Sequence, residues 1–163
     1  MNILVTGGAG YIGSATTEAL LKAGHSVTVY DSLVTGHRQA VPAGAKFIEA
    51  DLSDSHALVE TLTKEKFDAV MHFAAYIAAG ESMKDPGRFY HNNVVNSFAL
   101  IETAVRADVK RFVLSSTAAV YKSSDEPLNE ESPLGPTNVY GHTKLMIEQT
   151  LDWYRQVHGL HYA

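Results

Sequence analysis

The run Thr6-Gly7-Gly8-Ala9-Gly10-Tyr11-Ile12-Gly13 limits what this chain can fold into more than any other stretch. It follows a short, continuous apolar run, Ile3-Leu4-Val5-Thr6, and opens a helix-period segment from Tyr11 to Lys22, so the glycines fall where a buried strand turns into a helix. Each glycine then has a task. Gly7 takes a tight turn, Gly10 lets backbone approach a pyrophosphate, and Gly13 lets the helix pack close to the strand. Tyr11 and Ile12 carry N–H groups of the helix start, which attract phosphate. A flexible turn is the plain alternative, but strand, register and helix together predict dinucleotide binding.

The same alternation continues along the chain. Val27-Thr28-Val29-Tyr30, Phe47-Ile48, Ala69-Val70-Met71-His72 and Arg111-Phe112-Val113-Leu114-Ser115 read as strands buried on both faces. Helix-period segments run over Ser55 to Lys64, Pro86 to Arg106 and Asn138 to His158. Strand and helix in turn predict right-handed βαβ crossovers: an α/β, Rossmann-like, doubly wound parallel sheet with helices on both faces. With 163 residues, 45% of them hydrophobic, the chain can bury about 70% of its unfolded surface. One dinucleotide-binding domain over 1–163 is expected.

Composition removes several function classes. Thirteen Lys and Arg against eighteen Asp and Glu leave a net charge of -5, which argues against a sequence-independent hold on nucleic acid or an anionic membrane. No Cys is present, so a thiolate nucleophile and Cys-ligated metal are out. No metal site is expected, and His158 and His161 read as solvated residues. Met1 to Thr6 is too short and lacks the basic flank of a signal peptide. A cytoplasmic protein is the default expectation.

Three further groups of residues carry chemistry. Asp31 ends the second strand, eighteen residues after Gly13, where this fold brings a carboxylate to the adenosine ribose; it should favour NAD over NADP, although His37 and Arg38 keep an NADP alternative open. Asp51 and Leu52 follow the third strand and are placed to meet the adenine, though helix capping accounts for Asp51 nearly as well. Tyr140 and Lys144 stand four apart and share a helix face. A cation beside a tyrosine favours phenolate, which can then take a proton from a sugar hydroxyl. At the end of the fifth strand, Thr117, with Ser116 as the alternative, could hydrogen-bond the oxygen that Tyr140 deprotonates.

Together these residues resemble the extended short-chain dehydrogenase/reductase family, and within it most closely the UDP-galactose 4-epimerases. The resemblance spans the chain through Val5 to Ser14, Asp31-Ser32-Leu33, Asp51-Leu52, His72-Phe73-Ala74-Ala75, Gly80-Glu81-Ser82, Tyr90-His91-Asn92-Asn93-Val94, Ser115-Ser116-Thr117 and Asn138 to Lys144. It implies NAD as cofactor, contacted also by Ser32, Leu33, Phe73, Ala74, Ala75, Asn93 and Ser115, and a nucleotide-sugar substrate of the UDP-hexose kind. Tyr140 would take the proton of the sugar 4-hydroxyl while hydride passes from C4 to NAD, and hydride would return to the other face of the 4-keto sugar. Thr117 would steer the hydroxyl, Lys144 would hold the nicotinamide ribose, and Glu81 and Ser82 would sit near the pyrophosphate or sugar. Related dehydratases carry an acidic residue shortly after the active-site Thr; here Ala118 and Ala119 follow.

Two departures from the family pattern concern charge. Some members have Lys where Ile77 stands, and the usual Gly after Val-Tyr is Lys122, which could restore a cation near the diphosphate. Two rival readings remain: a catalytically silent NAD-binding module and an NAD-dependent sugar-nucleotide dehydrogenase. The family continues past the position of Ala163 with a further strand and a region gripping the nucleotide, so that nucleotide-sugar region is expected to be absent from this chain. The fifth strand would then be an open apolar edge, favouring a homodimer.

Overall fold

A computed structural model describes all 163 residues, Met1–Ala163. Six parallel strands form one sheet: β1 (Asn2–Thr6), β2 (Ser26–Asp31), β3 (Lys46–Glu49), β4 (Ala69–His72), β5 (Arg111–Leu114) and β6 (His161–Tyr162), in the order β3-β2-β1-β4-β5-β6. The chain runs outward from β1 to β3, then crosses back to place β4 on the other side of β1. That reversal opens a crevice at the carboxyl ends of β1 and β4, the position where doubly wound sheets bind ligands.

The helices are α1 (Tyr11–Lys22), α2 (Ser55–Lys64), the short α3 (Ala79–Ser82) and α4 (Pro86–Phe89), α5 (Asn96–Arg106) and α6 (Val139–His158). Two apolar clusters, one on each side of the sheet, hold them. Leu4, Val70 and Phe112 of the strands pack with Leu58, Leu100, Ile101, Ile147 and Leu151 of α2, α5 and α6, all within 1% of complete burial. Burying one such side chain contributes roughly 1.5–3 kcal/mol. On the other side Val5, Val27 and Val29 meet Leu20 and Leu21 of α1.

Local signals explain the boundaries. Asp54, Asp85 and Asn138 each accept a backbone N–H of the helix they precede. At the other ends, Gly24, Asp108 and Gly159 adopt positive φ after α1, α5 and α6, the usual left-handed stop. Pro86 takes the first turn of α4, where its missing N–H costs nothing.

Two features depart from the sequence reading. The helix expected over Pro86–Arg106 is helical throughout, but Tyr90–Val95 winds as a π-helix between α4 and α5. Its extra residue per turn is invisible to a 3.6-residue period. The open edge expected at β5 is covered: β6 pairs with it in register Arg111↔His161 and Phe112↔Tyr162, and Ala163 exchanges backbone bonds with Phe112 and Leu114. β5 therefore offers no open edge on which a second copy could pair. No helix is long and apolar enough to cross a membrane.

Candidate active site

At the crevice lies a cavity of about 740 Å³. The βα loop forms its floor. Gly7 holds φ +73°, and a Cβ on Gly13 would stand 2.2 Å from the Gly7 carbonyl oxygen, so α1 can start this close to β1 only with glycine at both places. The first helical bond is Ser14 N–H to Gly10 O at 2.9 Å. No side chain caps α1 and no acidic residue sits in its first turn, which leaves the N–H groups of Tyr11, Ile12 and Gly13 at the cavity wall. A Cβ on Gly10 would meet nothing but the Gly7 oxygen, at 3.3 Å. An uncapped helix start of this kind fits a pyrophosphate.

The β2 end supplies Asp31 and Ser32. The Asp31 carboxylate accepts the N–H groups of Ala9 and Leu33 at 2.9 and 2.8 Å, so it fixes the glycine loop and keeps a lone pair on each oxygen for a ribose hydroxyl. Asp51 and Leu52 stand beside it. Burial pushes the Asp51 carboxyl up, but hydrogen bonds from Ser53 and Ser32 outweigh this and hold it below the usual carboxylate range. The cap of α2 is Asp54, not Asp51.

The opposite end holds Tyr140 and Lys144 of α6 and Ser115 after β5. Asn138 caps the helix through the Gly141 N–H, and Ser82 Oγ accepts the Tyr140 N–H at 3.1 Å. Lys144 is buried, its Nζ donating to Ser115 O at 2.8 Å. Burial lowers its pKa to about 8, opposed by Glu148 one turn away. Between the two ends run Phe73, Ala74 and Ala75, with the Ala74 N–H packed where a Gly7 Cβ would be.

A family model described as "NAD dependent epimerase/dehydratase family" matches residues 3–163. The chain belongs to that family. This epimerase/dehydratase-family chain is 45% identical over 164 residues to a UDP-glucose 4-epimerase of Lactobacillus helveticus, covering 100% of this chain and 50% of that one. A crystal structure of a UDP-glucose 4-epimerase superposes with TM-score 0.96 and 47% identity over 99% of this chain and 50% of that one. The UDP-glucose 4-epimerase from Brucella ovis, crystallised in complex with NAD, gives 0.95 and 41%, over 99% of this chain and 50% of that one. The chain spans about half the length of the curated relatives it matches.

Most site residues expected from the sequence meet at this one cavity, but three do not line it. Leu33 turns away at φ 58° and packs against the β1–α1 core. Asn93, fully buried in the π turn, spends its carboxamide on Tyr76 N–H, Tyr76 O and Thr143 Oγ1, so it holds the wall rather than forming it. Thr117 starts the 3₁₀ turn Ala118–Val120 and accepts the Ala119 N–H at 3.2 Å, leaving its own proton free. Ser116, the alternative hydroxyl, does line the cavity, yet its proton goes to Glu148.

The wall also contains residues the sequence did not point to. Arg88 of α4 lays its guanidinium over the Tyr76 ring, 4.3 Å from the centroid. It brings a cation to the wall that carries Ile77. Lys122 is exposed and outside the cavity, so it does not restore the cation expected from it; Arg88 is the cation on that wall. Glu81 lines the cavity, whereas Ser82 lies beneath it. The acidic loop Asp125–Glu131 is exposed and does not reach the site.

Proposed function

We propose that this chain is the NAD-binding portion of a nucleotide-sugar 4-epimerase acting on a UDP-hexose. The observation that carries the reading is one cavity with an uncapped α1 start and Asp31 at one end and Tyr140 with Lys144 at the other. NAD would lie along it, its pyrophosphate on the N–H groups of Gly10 to Gly13 and its adenosine ribose on Asp31. Asp51, Leu52 and Ser32 would surround the adenine side, and Phe73 to Ala75 and Ser115 the nicotinamide side. The cofactor supplies a reversible hydride acceptor. Tyr140 would move the proton of the sugar 4-hydroxyl, Lys144 would bind the nicotinamide ribose and favour phenolate, and Thr117 would offer its free proton to the reacting oxygen after a local shift.

The chain spans about half the length of its relatives, which supports a division of labour in which the nucleotide-sugar grip is formed by the part of those relatives beyond the matched half. The chain alone should bind NAD and interconvert UDP-glucose and UDP-galactose slowly or not at all. The test is a chimera of residues 1–163 with the second half of the Lactobacillus helveticus relative. It should interconvert the two sugars without net NADH formation, and Tyr140→Phe should abolish exchange while retaining bound NAD. Full activity in that variant would remove the proton-transfer role. Accumulating NADH would favour the dehydrogenase alternative, and an inert, NAD-loaded chimera the silent module.

A further inference from the structure

Two consecutive residues after β5 are tied to two residues one turn apart on α6. The Ser115 carbonyl takes the Lys144 ammonium at 2.8 Å, and the Ser116 hydroxyl donates to Glu148. The two α6 positions are four apart, so their side chains share a face. α6 can come this close because residue 141 is glycine: a Cβ there would stand 2.3 Å from the Ala119 carbonyl oxygen. The result is a two-point clamp that sets the rotation of α6 against the end of β5, the rotation on which the direction of Tyr140 and Lys144 depends.

Glu148 makes no other hydrogen bond, it is half-buried rather than solvated, and the one further titratable group that feels its charge is the Tyr162 phenol of β6. Around Lys144 the titratable neighbours are Tyr140 and Glu148 on α6 and His72 from β4. Burial and the Lys144 charge keep His72 neutral, with a pKa of about 3, so it sets no second positive charge beside the lysine. Glu148 is the carboxylate that opposes the burial penalty on the lysine.

We propose that Glu148 is a positioning residue of the reaction centre: it takes the Ser116 hydroxyl and, one turn from Lys144, fixes the rotation of α6 that seats Lys144 on the Ser115 carbonyl. The inference rests on the reading of Lys144 given above and deepens it. It also explains why Ser116, although at the cavity wall, leaves the donor role to Thr117.

Glu148→Gln keeps the shape and an acceptor for Ser116 but deletes the charge, whereas Glu148→Asp keeps the charge. The Lys144 side chain can be titrated by nuclear magnetic resonance in the 163-residue chain with isotope-labelled lysine, without NAD or sugar. Glu148→Gln should move the Lys144 midpoint down by at least about half a unit, and Glu148→Asp should bring it back toward the parent value. Ser116→Ala, which frees the carboxylate to swing into solvent, should also lower the midpoint, and it carries the test if Glu148→Gln does not fold. A midpoint unchanged in the folded variants overturns the proposal. Because no ligand is added, failure to bind NAD would sink the proposed function and leave this result standing or falling by itself.

Discussion

His72 shows how the site is held from behind by single residues. It is fully buried at the end of β4, with Nδ1 2.6 Å from Thr6 Oγ1 and Nε2 2.8 Å from Ser97 Oγ. Ser97 gives its own proton to the Asn93 carbonyl, so it must accept from Nε2–H, and Thr6 must donate to Nδ1. The ring is thus a neutral Nε2–H tautomer joining the glycine loop to the π turn. Desolvation, reinforced by the Lys144 charge, takes its pKa from 6.5 to about 3. Between those values the unfolded chain binds a proton that the folded chain refuses, so stability present above pH 6.5 is lost as pH falls, at up to about 1.4 kcal/mol per pH unit. Urea unfolding from pH 7 to 4 should therefore show a shallower decline in His72→Gln than in the parent, whatever the variant's starting stability; an equal slope would remove this account. Tyr140 and Lys144 were legible because their spacing is local. Glu148 was not, since its partner Ser116 lies 32 positions away and only the packing of α6 on β5 joins them.

At the scale of elements, the β1–loop–α1 unit is the part most fully written in local sequence. Its turn, close approach and free helix start all follow from Gly7, Gly13 and the uncapped Gly10. Gly13→Ala puts a methyl 2.2 Å from the Gly7 oxygen, and α1 must retreat from the strand. The expected outcome is a loss of NAD affinity of at least about tenfold, or roughly 1.4 kcal/mol, with the fold retained in circular dichroism; undiminished affinity would contradict the role given to the loop. Elements built by tertiary contact were harder to read. β6 is only two residues long, too short for any periodicity, and its apolar anchor Leu160 is only 2% exposed with no pattern around it. In the π turn at Tyr90–Val95, Asn93 faces Tyr76 and Thr143 at once, contacts to elements on either side of it in space that no local pattern announces.

For the whole molecule, the net charge of -5 hides a more even balance inside the cavity, where Lys144 and Arg88 stand against Asp31, Asp51 and Glu81. Under the proposed reading, a dianionic pyrophosphate would be accommodated there by helix N–H groups more than by side-chain charge, so overall composition says little about this ligand. The doubly wound order and the crevice at the carboxyl ends of β1 and β4 followed from the alternation of strands and helices, but the wall of the cavity depends on α3 and α4, which bring Glu81 and Arg88 to it. The central claim is that this 163-residue chain is by itself a competent NAD site whose preference is set by Asp31. Isothermal titration of the unmodified chain with NAD and, separately, NADP measures it directly. One NAD per chain, bound more tightly than NADP because a 2′-phosphate would meet the Asp31 carboxylate, is the predicted result; no NAD binding, or the reverse order, would contradict it.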